Sequence, residues 1–225
     1  MVDRIIDGQL EELKRLILVM GGSVEKALGE AISALMNRDP AKFNTVHTIE
    51  KKINEDHLKV DQACIHLLAR QGPVAGDLRL ILSIVKINTD LERMGDQSVN
   101  IAYTGKDYLT RTPVPQLEQI QKMAELVRQM VKESLDSFVR GDLALAKKIL
   151  MTDDEVDDLK NQIFHKLIDH IKANPQDTEA SLDLILIARN LERLGDHATN
   201  IAEDVIFAFS GQDVRHGGKF GQQLG

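Results

Sequence analysis

The chain contains few residues of several types, and each shortage argues against a class of protein. Cys64 is its one cysteine among 225 residues, so no disulfide can form within it, and a reducing compartment is expected. Tryptophan is absent and aromatic residues make up only 4%. Aliphatic side chains must therefore fill the interior, which favours helices packed on helices over a β-sandwich.

Long apolar runs are also missing. Runs such as LILVM at 16–20 are far too short to cross a bilayer, which needs about 20 apolar residues. The start, MVDRIIDGQLEELKRL, lacks the apolar stretch of a signal peptide. A net charge of −7 argues against nucleic-acid binding and leaves cations or basic proteins as partners. We therefore expect a cytoplasmic protein that does not bind nucleic acid.

Proline is scarce, and its positions divide the chain. All five prolines fall at breaks, where they suit the first turn of a helix rather than its interior. Asp39 and Asp142 are expected to cap the helices that follow them. Apolar residues recur at i, i+3 and i+4 between the breaks, which predicts α-helices. An all-α fold of six long helices is expected, near 7–37, 40–70, 77–110, 115–140, 142–173 and 177–209.

One phrase occurs twice in the sequence. Residues 91–102 are LERMGDQSVNIA and residues 191–202 are LERLGDHATNIA, with eight of twelve positions identical. The preceding helices align at an offset of 103, so the similarity extends beyond the phrase. The sequence therefore predicts tandem three-helix units at 7–112 and 113–210, with TPVP at 112–115 as the hinge. A glycine-rich, flexible tail is expected at 211–225.

The repeated phrase places acidic side chains four residues apart, on one face of a helix. The second helix of each unit carries a matching pair, and two such helices facing each other would gather several oxygen ligands. Hard cations such as Mg, Mn, Fe or Ca, and also Zn, bind such ligands. The predicted metal ligands are Glu50, Asn54, Glu92 and Asp96 in the first unit and Asp153, Asp157, Glu192 and Asp196 in the second, with Asn100 and Asn200 as accessory ligands. The same acids would equally form a docking face for a basic partner.

Two glycines stand between the acids of the repeated phrase. Gly95 and Gly195 cost about 1 kcal/mol each relative to alanine in a helix. The missing side chain lets another helix, or a ligand, approach closely. Arg79 is a candidate for binding an anion, and an ordinary salt bridge is the competing interpretation.

No catalytic motif is present in the sequence. It has no H-E-x-x-H, no phosphate-binding G-x-x-x-x-G-K and no G-x-S-x-G. No histidine follows a glutamate by three residues, which argues against a di-iron helical bundle. The chain is therefore expected not to be an enzyme, and no catalytic residue is assigned.

The phrases LERMGD and LERLGD, together with GPVAGDLRLILSI and GQDVRHGG, resemble the PhoU family over nearly the whole chain. The resemblance implies two three-helix bundles related by a pseudo-two-fold axis, often in a homodimer. It implies a negative regulator of the phosphate-starvation response and of phosphate uptake. Such a protein couples the Pst phosphate transporter, at its ATPase subunit, to a PhoR-type sensor histidine kinase, and meets the membrane only through these partners.

Some members of this family carry multinuclear metal clusters on E/D-x-x-x-D motifs. The resemblance assigns that role to the carboxylates named above, whereas the amide of Asn54 departs from the pattern and weakens the first unit. Two other functions stay open at this point. One is a metal-dependent hydrolase or metal-storage protein that uses the same carboxylates, although no histidine general base is evident near them. The other is a helical adaptor whose acids only solubilise its surface.

Overall fold

The structure is a computed structural model in which residues 5–215 are described. Six long helices and one short 3-10 turn, Pro175–Asp177, make up its secondary structure, and no strand occurs within 5–215. The helices are α1 (Ile5–Met36), α2 (Ala41–Gln71), α3 (Ala75–Tyr108), α4 (Leu117–Arg140), α5 (Leu143–Ala173) and α6 (Thr178–Ser210). The predicted all-α fold is confirmed, and the helix ends differ from the prediction by at most two residues.

Local signals in the sequence account for the helix ends. The Asp142 carboxylate accepts hydrogen bonds from the backbone N–H groups of Ala144 and Leu145, both at 3.0 Å, so it caps α5 as predicted. Asp39 lies one residue before Pro40, the N-cap residue of α2. Its side chain accepts a hydrogen bond from the backbone N–H of Ala41 at 3.1 Å. Gly141 ends α4 at φ +64°, a left-handed conformation that suits glycine.

Each half of the chain folds into a three-helix bundle. In the first, α1, α2 and α3 pack against one another, and α4, α5 and α6 do the same in the second. Most of the buried residues are aliphatic, and they follow the predicted i, i+3 and i+4 stripes, as Ile84, Ile87 and Leu91 do on α3. The predicted pair of tandem three-helix bundles is therefore confirmed.

The two bundles meet through α3 and α6, which run antiparallel, and through α1 and α4. Near the start of α3, Ser83 Oγ donates to the backbone oxygen of Asp204, late in α6, at 3.1 Å. Further along, Asp90 Oδ1 lies 2.8 Å from His197 Nδ1. The two copies of the repeated phrase therefore lie at the middle of this contact, in the arrangement that a pseudo-two-fold axis produces.

The connection between the bundles is anchored at several points. The Tyr108 side chain is fully buried, and its hydroxyl accepts a hydrogen bond from Val114 N at 3.2 Å. Arg38, with φ +51°, donates to the backbone oxygen of Leu109 at 2.6 Å. Arg111 pairs with Asp183 of α6 at 2.6 Å and also with Glu179. The segment predicted as a hinge is thus fastened to both bundles.

The segment after α6 begins with Gly211, at φ +75°. Val214 is buried, and Arg215 forms a 2.5 Å ion pair with Asp213. The remainder of the predicted flexible tail, 216–225, lies outside the described residues. Within residues 5–215, no helix is both long and apolar enough to cross a membrane.

Candidate functional site

The predicted acids of the second bundle come together where α5 packs on α6. An added Cβ at Gly195 would lie 3.5 Å from Val156 Cγ1 and 3.6 Å from Asp153 Oδ1, so α5 approaches α6 at the glycine of the repeated phrase. The four carboxylates that surround this contact are called the acidic cluster here and are Asp153, Asp157, Glu192 and Asp196.

Two carboxylates of the acidic cluster carry charge that no neighbour neutralises directly. Burial, followed by repulsion from Asp196 and other carboxylates, raises the pKa of Asp153 to about 6. Desolvation, followed by repulsion from Glu192, also raises the pKa of Asp196. Within the described chain, neither side chain accepts a hydrogen bond or joins an ion pair, so both are open to an added positive charge.

Lys160 neutralises the other half of the acidic cluster. Its Nζ lies 2.8 Å from Asp157 Oδ1 and 2.8 Å from Glu192 Oε1, so it bridges α5 and α6. The hydrogen bond to Asp157, followed by the one to Glu192, raises the pKa of Lys160. Lys160 is not among the site residues predicted from the sequence, although a lysine three residues after an acid on a helix is a legible pairing signal.

The first bundle arranges its corresponding residues differently. Asn54 Nδ2 donates to Glu50 Oε1, while Asn54 Oδ1 is buried with no hydrogen-bond partner. Arg93 Nε lies 3.5 Å from Glu92 Oε2 and its Nη1 lies 3.4 Å from Asp96 Oδ2. Within residues 5–215, no hydrogen bond or ion pair joins the α2 pair to these α3 acids. Charge in the first bundle is thus compensated along one helix rather than between two.

The PhoU domain family model matches residues 17–104 and 120–205, one stretch in each bundle. The chain belongs to the PhoU family. It is 35% identical over 218 residues to the "Phosphate-specific transport system accessory protein PhoU homolog" of Pseudomonas putida, covering 96% of this chain and 85% of that one. The crystal structure of PhoU from Pseudomonas aeruginosa, 35% identical, superposes with a TM-score of 0.89 over 92% of this chain and 99% of that one. The crystal structure of the phosphate transport system regulatory protein PhoU from Streptococcus pneumoniae is 27% identical in sequence. It superposes with a TM-score of 0.85 over 92% of this chain and 98% of that one.

The acidic cluster of this PhoU-family chain suits a cation in charge and in donor chemistry. Its carboxylate oxygens are the ligands that hard cations prefer, and Asp153 and Asp196 have no competing partner. Their present geometry is less suitable, because within residues 5–215 no three His, Cys, Asp or Glu side chains are arranged to hold a metal ion. Lys160 already occupies the position between Asp157 and Glu192. The predicted metals, Fe, Zn, Mn, Mg and Ca, therefore remain predictions.

The residues predicted as accessory ligands or anion binders lie elsewhere. Asn200 Nδ2 donates to Asp90 Oδ1 at 3.2 Å, so its amide is engaged where the PhoU bundles meet. Asn100 is exposed on α3. The Arg79 guanidinium lies against Gly211, just after α6, and its Nε is buried with no hydrogen-bond partner. No salt bridge to Arg79 occurs within the described residues.

The two glycines of the repeated phrase differ in how closely a neighbouring helix approaches them. An added Cβ at Gly95 would lie 3.2 Å from Ile53 Cδ1 and 3.3 Å from its Cγ2, which is tighter than ordinary packing. At Gly195 the nearest atom would be 3.5 Å away, an ordinary contact. Helix packing therefore accounts for the first glycine but leaves the second without a steric requirement.

This difference predicts unequal outcomes for the same substitution at the two equivalent positions. Gly195→Ala should raise the free energy of unfolding by about 0.5–1 kcal/mol, because alanine is the better helix former and fits beside Val156. Gly95→Ala should lose most of that gain against Ile53. Urea denaturation followed by circular dichroism measures both. Equal stabilisation of the two variants would contradict the packing described for Gly95.

The raised pKa of Asp153 predicts a pH-dependent contribution to stability. The folded protein holds a proton on Asp153 up to about pH 6, whereas the unfolded chain releases it near its ordinary value of 3.8. Stability from this group is therefore highest at low pH and falls as pH rises through 4 to 6. Asp153→Asn should match the parent protein near pH 4 and be more stable by about 1–2 kcal/mol at pH 7 in chelator. If the stability difference between Asp153→Asn and the parent protein were the same at pH 4 and pH 7, the raised pKa would not belong to Asp153.

Proposed function

We propose that this chain is a phosphate-transport accessory protein that restrains phosphate uptake and the phosphate-starvation response. Its relatives bear that accessory name, and the similarity spans both bundles. The observation in the structure that supports a binding role is the pair of unneutralised carboxylates, Asp153 and Asp196, at the α5–α6 contact. Neither side chain joins an ion pair within the described residues, so an added positive charge would relieve the repulsion between them.

The proposed partners are the ATPase subunit of a Pst transporter and the cytoplasmic region of a PhoR-type sensor kinase. A regulator that contacts both shifts each partner only as far as it prefers one of that partner's states. A basic surface on either partner would meet the acidic cluster, where charge complementarity speeds and orients encounter. The chain would work in the cytoplasm, as a homodimer that reaches the membrane through these partners.

A bound divalent cation is the second part of the proposal. Asp153 and Asp196 would hold it first, and Asp157 and Glu192 would join when Lys160 moves away. The cation would supply the positive charge that removes the repulsion among the four carboxylates. Cation and basic partner would then compete for one negatively charged surface, which gives a simple route to regulation.

Direct binding of purified proteins tests the proposed partnership. We expect the chain to bind both the transporter ATPase subunit and the kinase region, and Asp153→Asn with Asp196→Asn to weaken at least one of these complexes about tenfold. Glu50→Gln with Asp96→Asn, at equivalent positions of the first bundle, is the matched control and should have a smaller effect. Absence of binding to both partners, with all proteins folded, would refute the adaptor role. Sedimentation of the isolated chain tests the homodimer.

A further inference from the structure

A groove runs along the contact between α5 and α6, beside the acidic cluster. The ion pair of Lys160 and Glu192 stands at one end, and Phe164, with 44% of its surface exposed, stands on the α5 side. Ile185 and Ala188 form an apolar floor on the α6 side. This α5–α6 groove is lined by Lys160, Asn161, Phe164, Ile185, Ala188, Arg189 and Glu192.

The first bundle closes the same contact with polar side chains. Asn88, at the position equivalent to Ala188, donates to the backbone oxygen of His57 at 3.0 Å and to Asp61 Oδ1 at 2.9 Å. Asp61 in turn occupies the position equivalent to Phe164. The second bundle has thus exchanged a hydrogen-bonded amide and carboxylate for a methyl group and an exposed aromatic ring. At these two positions the second bundle is less polar than the first, whereas the lining residue Asn161 stands where the first bundle has the exposed Leu58.

A cation without a partner stands at the rim of the α5–α6 groove. Arg189 is exposed, and within residues 5–215 its guanidinium makes no ion pair or hydrogen bond. Its equivalent in the first bundle is Thr89, which is uncharged. Leu182 lies two turns before Arg189 on the same face of α6 and is 47% exposed. The rim therefore combines an apolar strip with the available positive charge of Arg189.

We propose that the α5–α6 groove binds a helical segment of a partner protein that carries apolar side chains on one face and an aspartate or glutamate beside them. Two antiparallel helices present the shape in which an amphipathic helix docks, with anchors at i, i+3 or i+4 and i+7. The anchors pack between Phe164 and Ile185, and the carboxylate pairs with Arg189. The inference goes beyond the proposed function, because it needs neither a cation at the acidic cluster nor a basic partner surface.

The overall charge of the chain makes this preference diagnostic. With a net charge of −7, the surface as a whole attracts basic peptides and repels acidic ones. An acidic peptide that nevertheless binds must therefore use a local positive site. Selection for acidic rather than basic sequences distinguishes the α5–α6 groove from nonspecific attraction.

Peptide display on the full-length chain tests the proposal. A phage library of helical peptides, with the solvent-facing positions of each helix randomised, is panned against the protein. The most enriched peptide is then synthesised with a fluorescent label. We expect it to combine apolar residues at helical spacing with Asp or Glu. Arg189→Glu and Phe164→Ala should each weaken its binding at least tenfold, measured by fluorescence anisotropy. Thr89→Glu, the matched change on the first bundle, should leave binding unchanged, and circular dichroism checks that each variant is folded.

Three results would overturn the proposal. Enrichment of basic peptides is the first, and equal binding of the acidic peptide to Arg189→Glu is the second. The third is sedimentation of the chain with phosphatidylglycerol vesicles in a manner that depends on Arg189 and Phe164, which would assign the α5–α6 groove to a membrane surface. Failure of the adaptor proposal would appear separately, as absent binding to the transporter and kinase proteins, and would leave the peptide result unchanged.

Discussion

Tyr108→Ala should lower the free energy of unfolding by about 3–5 kcal/mol, the range for removing a buried aromatic side chain. Tyr108 is fully buried at the end of α3, and its hydroxyl accepts the hydrogen bond of Val114 N in the connection to α4. The substitution therefore leaves a cavity and an unpaired N–H at the point where the bundles are fastened together. Urea denaturation followed by circular dichroism measures the loss.

Tyr108→Phe is the matched control for the hydroxyl. It keeps the ring in place and removes only the acceptor of Val114 N, so we expect a loss of about 1–2 kcal/mol. A loss below about 1 kcal/mol for Tyr108→Ala would show that the connection does not depend on this side chain.

Lys160→Met should destabilise the protein by about 1–3 kcal/mol at pH 7 in chelator, because it leaves Asp157 and Glu192 unneutralised beside Asp153 and Asp196. Removing one partner of a partly buried pair costs more than the pair itself contributes. Since the pKa of Lys160 is raised in the folded protein, its stabilising contribution is fully present at neutral pH. Thermal unfolding at low ionic strength measures the effect.

The same variant should gain a dependence on divalent cations. Millimolar Mg²⁺ or Mn²⁺ would bind the vacated position in the folded state only and restore much of the lost stability. Lys160→Arg keeps the charge and should show neither the full loss nor the cation response. A Lys160→Met variant as stable as the parent protein, with no response to cations, would contradict the mutual repulsion described for the acidic cluster.

The fold was predictable because its signals are local. Prolines at breaks and the Asp142 cap mark the helix limits, and aliphatic residues at helical spacing mark the buried faces. The repeated phrase then indicated that one three-helix unit occurs twice. The pairing of Asp90 with His197 was not predictable in this way, because it depends on α3 and α6 running antiparallel between the two bundles.

The candidate site was predictable only in part. The spacing of four residues predicted a common face for Asp153 and Asp157, and both lie near carboxylates of α6. The spacing could not show that Lys160 spans the two helices, because that contact depends on how far a long side chain extends after packing. The α5–α6 groove is legible in the sequence only after the two bundles are aligned, which sets Phe164 against Asp61.

Whether the acidic cluster binds a cation can be measured by Mn²⁺ binding to three proteins: the parent chain, Asp153→Asn with Asp196→Asn, and the matched first-bundle pair Glu50→Gln with Asp96→Asn. Equilibrium dialysis followed by elemental analysis gives the bound metal. We expect the parent and the first-bundle variant to bind Mn²⁺ at millimolar concentration and the second-bundle variant not to bind it. Retention of the metal by the second-bundle variant, or its loss from the first-bundle variant alone, would show that the acidic cluster is not the cation site.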